Sequence, residues 1–167
     1  DEKTYTVKER EAVKRQQDQV RAAREKIHAD AAEEAKKIWE AATPATDHPY
    51  LKAKGVHAHG TRITKDGRLI VPVFIGDKGC SLQHIDNAGN KMFHKGGKTS
   101  GGSYTIPGDP QTAVIAEGFS TAASIAEATG FTVYCAFNAG NLEKVVAAVK
   151  PHHTHIIIAG DDDKGKE

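Results

Sequence analysis

The chain has 167 residues, of which 38% are hydrophobic and 27% charged, with a formal net charge of +1. Such a composition fits a globular domain with appendages and excludes a uniformly basic nucleic-acid-coating protein, so any nucleic-acid contact rests on local clusters. No apolar run approaches the roughly 20 residues of a membrane span, the first residues are charged, and the two cysteines form no CxxC pair, which excludes a zinc ribbon. These features point to a cytoplasmic setting with no membrane partner. The absence of an initiating Met, and an end just after an acidic motif, read as a piece of a longer protein.

Residues from about 6 to 42 contain no Gly or Pro and are rich in Ala, Glu, Lys, Arg and Gln, which predicts one long helix. Val13, Val20 and Ile27 recur at heptad spacing, a stripe too thin for a coiled coil. Ile38 and Trp39 are the expected docking residues. The segment Thr43 to Pro49 ends the helix, because proline cannot continue it.

Residues 50–107 change character, with short apolar runs alternating with Gly, Asp and Asn. Arg68 to Ile75, Cys80 to Ile85 and Lys91 to Phe93 predict an antiparallel meander with tight hairpins. Pro72 lies inside a strand-like run and marks an edge or bulge. Lys91, His94, Lys95 and Lys98 cluster with Phe93, Tyr104 and several glycines. Lys95-Gly96-Gly97-Lys98-Thr99 lacks the strand–GxxxxGK[ST]–helix context of a phosphate loop. The lysines suit a template backbone or a triphosphate, whereas the aromatics suit core packing.

From residue 112 onward the pattern becomes α/β. Strands are expected at about 112–116, 131–136 and 155–159, and helices at about 120–129 and 141–149 with Asn141 as N-cap. That alternation implies parallel pairing. The first strand runs into Glu117-Gly118, and the third into Asp161-Asp162-Asp163. Acids at the carboxyl ends of buried strands lie where open α/β sheets hold their sites, and they repel one another unless a cation neutralises them. Asp161 and Asp163 share one side of an extended chain. The plainer readings are a surface Glu near a helix N-terminus and an acidic loop. Asn138, in the loop after the second strand, is equally suited to touching nucleotide or forming a turn. His57-x-His59 and the group His152, His153 and His155 have metal-like spacing. They have no cysteine or acid nearby in sequence, so all the histidines read as surface residues.

Glu117-Gly118 followed by Asp161-Asp162-Asp163 resembles the Toprim domain of topoisomerases, primases and related nucleases. The preceding β block, with Gly67 to Val73, Leu82 to Ile85 and Lys91 to Lys98, looks like the segment before Toprim in phage- and plasmid-type primases. The resemblance implies an α/β fold: a Toprim-type parallel-sheet core preceded by a small antiparallel β segment and a long N-terminal helix. It divides the chain into a helix at 1–43, a β-rich segment at 50–107 and a C-terminally truncated Toprim domain at 112–167. It implies Glu117 as the catalytic acid–base and metal neighbour, and Asp161 and Asp163 as the Mg²⁺ (or Mn²⁺) pair. Lys91, Lys95, Lys98, Asn138 and Gly118 are then the residues facing nucleotide or DNA. The implied activity is template-directed synthesis of RNA primers on single-stranded DNA from nucleoside triphosphates, with a helicase or relaxase in the same polypeptide or replisome. The alternatives are Toprim-type phosphodiester cleavage and a non-catalytic nucleic-acid-binding module.

Overall fold

The computed structural model describes residues 6–160. Helix α1 (Val7–Ala41) begins at a capping box in which Thr6 and Glu9 exchange side-chain-to-backbone hydrogen bonds. At 1.5 Å per residue it is about 50 Å long. Its heptad stripe of Val13, Val20 and Ile27 is exposed. The helix docks through its C-terminal part, where Ala31 and Ala35 are buried and Ile38 and Trp39 pack with Ile70 and Leu82. Arg62 fixes that end, stacking 4.7 Å above the Trp39 ring and donating to the Trp39 carbonyl.

A five-stranded antiparallel sheet follows, ordered β1-β2-β3-β4-β5. Its strands are β1 (Thr43–Pro44), β2 (Arg62–Ile63), β3 (Leu69–Ile75), β4 (Lys78–Ile85) and β5 (Lys91–Phe93), with the short helix α2 (Pro49–Lys54) between the first two. The continuous apolar run of β3 has a simple cause: both faces of the strand are covered. Ile70 and Leu82 face α1, whereas Leu69, Val71 and Ile85 enter the main core. Burying each such side chain contributes about 1.5–3 kcal/mol.

Pro72 meets the expectation of a local edge beside a bulge. β2 pairs only with Leu69 and Ile70, and the β3–β4 register shifts just after Val73. Two residues beyond Pro72, on the same strand edge, Phe74 exchanges both backbone hydrogen bonds with Ser103. The missing proline N–H therefore falls in the gap between β2 and Ser103, where no ladder bond is lost.

The second sheet is mixed and ordered β6-β8-β7-β9, from β6 (Tyr104–Ile106), β7 (Asp109–Ala116), β8 (Phe131–Cys135) and β9 (His155–Ala159). β7 pairs in parallel with both β8 and β9, as the alternating pattern predicts. Here the structure extends the sequence reading, because β6 leaves the meander and pairs antiparallel with β8. The crossing from β6 to β7 passes so close to the start of β8 that a Cβ on Gly108 would lie 2.4 Å from the carbonyl oxygens of Gly130 and Phe131.

Helix α3 (Phe119–Thr129) joins β7 to β8, and helix α4 (Leu142–Val149) lies between β8 and β9. Val114, Ala116, Phe119, Ala122 and Ala123 share one core with Leu69, Val71 and Ile85 of the first sheet. Ile115 and Ala136 pack with Val145 and Val149 of α4 on the opposite face. The chain is thus a mixed α/β fold with a long N-terminal helix. Cys80 and Cys135 are free and buried. Among the described residues, no helix is long and apolar enough to cross a membrane.

Asn141 differs from its expected role. It stands at the N-cap position of α4 but makes no capping bond. Its buried amide instead donates to the carbonyls of Gly102 and Ala136 and accepts from the Gly101 N–H. A buried amide gains more by satisfying three backbone groups than one exposed cap. The histidines also divide. His48 and His84 are buried rather than superficial. His48 Nδ1 accepts from the Tyr50 N–H and Nε2 donates to the Gly67 carbonyl, closing the turn into α2.

Candidate active site

Parallel register sets the site. Ala116, the last residue of β7, lies opposite Cys135 of β8 and Ala159 of β9. Glu117 therefore leaves the sheet between the loop after β8 and Gly160, the residue that precedes Asp161 in sequence. Asp161, Asp162 and Asp163 lie outside the described residues. Glu117 is half-buried, and its carbonyl lies 3.8 Å from Cys135 Sγ. Its carboxylate has no hydrogen bond or ion pair among the described residues, so the acid is not consumed by the fold.

Gly118 is the N-cap of α3 and has an extended backbone, with φ at −114°. Glycine is not required there by dihedral angle. Nor is it required by crowding: a Cβ at this position would sit 3.6 Å from Lys91 Nζ, an ordinary contact, so the lysine stands directly over the glycine. Lys91 is exposed on β5, and its ammonium also lies 5.6 Å from the Tyr50 ring centroid. Its charge extends to the end of β8. Burial pushes the Cys135 thiol up to about 12, opposed by a backbone hydrogen bond at Phe137 and by the Lys91 charge.

The loop after β8 carries a second feature that sequence patterning did not single out. Phe137 has φ of +71°, a left-handed conformation that is costly for a bulky residue, on the order of 1–3 kcal/mol. Its ring packs edge-on against Phe93 of β5, with centroids 5.7 Å apart. This contact fastens the first sheet across the carboxyl end of the second. Asn138 follows with its side chain exposed and no capping bond, so its amide is free for another partner.

The expected lysines separate. Lys91 stands over Gly118. Lys95 is exposed beside Gly96, which abuts Ile27 and Ala31 of α1. Lys98 lines a hollow with Glu25, His28, Ala29, Lys78 and Cys80. The Lys95–Lys98 segment follows a strand but leads into no helix, in keeping with rejection of a phosphate loop. Tyr104 packs against Phe119 and donates its hydroxyl hydrogen to the His59 carbonyl, and burial raises it to about 12. It is a core residue, as its sequence context suggests.

Comparison with known proteins agrees with this geometry. Residues 112–167 match the family model for the Toprim domain. The last third of the chain is thus similar to a Toprim domain. The chain is also similar to two proteins named DNA primase TraC from Escherichia coli, 39% and 36% identical over 126 residues each. Each match covers 70% of this chain, but only 9% and 12% of the respective relative. The chain thus spans about a tenth of the length of these curated relatives. The matched length exceeds the Toprim segment, so part of the similarity lies in the β-rich region that supplies Lys91 and Phe93.

Sequence reasoning also missed Glu127, in the last turns of α3. Its carboxylate accepts the His57 N–H at 2.8 Å and lies 2.6 Å from His59 Nε2 and 3.2 Å from His57 Nδ1. The His57 backbone hydrogen bond leads the causes that lower its pKa to about 2. His57 and His59 have no acid nearby in sequence, but the fold brings one from about 70 residues away. No local signal predicts that meeting.

Proposed function

We propose that this chain is part of the catalytic core of a DNA primase, which joins nucleoside triphosphates into a short RNA primer on single-stranded DNA. The register of three adjacent strand ends carries the reading. Ala116 is level with Cys135 and Ala159, so Glu117, the Asn138 loop and the chain leading to Asp161 emerge at one end of the sheet. Similarity to proteins named as DNA primases, extending beyond the Toprim residues, supports primer synthesis over the other chemistries of these acids.

Glu117, Asp161 and Asp163 offer only oxygen donors, the chemistry that suits Mg²⁺ or Mn²⁺. The uncommitted carboxylate of Glu117 fits such a role. A bound divalent ion supplies charge neutralisation between anions and lowers the pKa of an attacking hydroxyl. In this reading Glu117 takes the proton from the primer 3′-hydroxyl as that oxygen attacks the α-phosphate of the incoming nucleotide; pyrophosphate leaves. Lys91 balances phosphate charge over Gly118, where the absence of a side chain leaves room for close approach. Asn138 contacts the nucleotide from the neighbouring loop. Lys95 and Lys98 form a more distant part of the template path. We place this activity in the cytoplasm, beside a helicase or relaxase domain in the longer polypeptide.

The test uses the full-length protein with single-stranded DNA, labelled nucleotides and Mg²⁺ or Mn²⁺. New short products that disappear with Glu117→Gln support primase chemistry. Loss of template without synthesis would replace it with Toprim-type cleavage. Binding with neither reaction would replace it with a non-catalytic module.

A further inference from the structure

The cluster formed by His57, His59 and Glu127 lies at the other end of α3 from Glu117. Phe119 and Glu127 are eight positions apart, about 12 Å along a helix axis. The cluster is therefore separate from the acidic strand ends. One ligating atom from each residue lies within 4.8 Å of the others, a spacing that admits a single metal ion.

Three observations make this more than a surface ion pair. First, the donor set is two imidazole nitrogens and one carboxylate, which suits zinc and its neighbours rather than magnesium. Second, the two histidines come from a shaped turn. His59 has φ of +47°, and the turn is held by Thr61, whose N–H and hydroxyl both donate to the Ala58 carbonyl. The Tyr104 hydroxyl holds the His59 carbonyl from the other side. Third, the carboxylate is already positioned by the His57 N–H, which leaves lone pairs for an ion.

We propose that His57 Nδ1, His59 Nε2 and the Glu127 carboxylate bind one zinc-type divalent ion, clamping the loop after α2 to α3. Donors on a tetrahedral zinc at about 2.1 Å stand roughly 3.4 Å apart. His59 Nε2 lies 2.6 Å from Glu127 Oε1 and His57 Nδ1 3.2 Å from Oε2, with all ligating atoms within 4.8 Å of one another, so a small rotation of the side chains opens the short separation to accept an ion. The His57 side chain is 85% exposed, so solvent reaches the fourth position and rotation of its ring meets little resistance. A site with three protein ligands and one water results. Its consequence is mechanical: the ion ties the turn beneath Tyr104 to the helix that begins directly after Glu117-Gly118.

The test is a Co²⁺ titration of the full-length protein after chelation, in excess Mg²⁺, followed by displacement with Zn²⁺. The expected result is a visible absorption band that survives Asp161→Ala/Asp163→Ala. His57→Ala and Glu127→Gln should each weaken binding at least about tenfold. Zn²⁺ should raise the melting temperature of the wild type but not of these two variants. His57→Ala removes an exposed side chain, so it tests the site without disturbing the core. A band unchanged in both variants, or one abolished by Mg²⁺ or by the aspartate substitutions, would overturn the proposal, as would the absence of any band.

Discussion

Helix α3 has a carboxylate near each end, and the two have different surroundings. Glu117, just before the helix, is half-buried with no partner for its carboxylate among the described residues, and a lysine from another sheet stands over the next residue, Gly118. Glu127, near the other end, is bound by a backbone N–H and lies against two histidines. An acid left uncommitted at the carboxyl ends of parallel strands is available for chemistry. An acid tied to its neighbours holds elements together. The same residue type, one helix apart, thus has a reactive assignment at one end and a mechanical one at the other.

The sharpest test of that contrast exchanges each carboxylate for an amide. Glu117→Gln should lower primer synthesis at least about a hundredfold and leave the melting temperature nearly unchanged, because the fold uses only its backbone. Glu127→Gln should retain most synthesis and lose the Zn²⁺-dependent rise in melting temperature. Primer gels and thermal melts on the same preparations read both. If Glu127→Gln abolishes synthesis while Glu117→Gln retains it, the assignments are reversed.

The end proposed as reactive also depends on packing that is unrelated to charge. Asn141 ties the Gly101–Gly102 turn to the end of β8 through three hydrogen bonds. Asn141→Ala should cost about 2–3 kcal/mol in denaturant unfolding, because it leaves buried backbone groups unsatisfied. A loss below about 0.5 kcal/mol would mean that water replaces the amide and that this clip does not hold the loop.

The sequence signals differ between these places for physical reasons. Glu117-Gly118 was legible because an apolar strand that ends abruptly in acid is a local pattern, and parallel register then follows from strand–helix alternation. The docking of Ile38 and Trp39 was legible because large apolar residues need cover. Lys91 was recognised as basic, but its position over Gly118 depends on how one sheet lies across another. The same holds for the Phe93–Phe137 contact. Glu127 was illegible because its partners come from a turn whose shape depends on Tyr104 and Thr61. Asn141 was misread for a related reason: its position is that of a cap, while burial decides its partners.

A third comparison separates the lysines. Lys91→Met should weaken DNA or nucleotide binding about tenfold at moderate salt and reduce the salt slope by about one. Lys98→Met, removing a charge that lies against α1, should have a smaller effect. Equal losses from both would show that the basic residues act as one diffuse strip and that proximity to Gly118 confers nothing.

A small expected change in stability also falls at Gly118, and it isolates why a glycine follows the acid. Its φ of −114° is accessible to any residue, and a new methyl group would meet Lys91 Nζ at 3.6 Å, an ordinary contact. Gly118→Ala should therefore cost no more than about 1 kcal/mol, mainly from replacing a good N-cap residue with a poor one. The methyl would nevertheless occupy space between the lysine and the start of α3, where the proposed phosphate approaches the backbone. Synthesis should fall through a raised KM for nucleotide, with kcat less affected. A large drop in melting temperature would instead assign the glycine to the fold. Unchanged kinetics with an unchanged melt would move the phosphate away from Gly118, leaving Glu117 and Lys91 to act without close backbone approach.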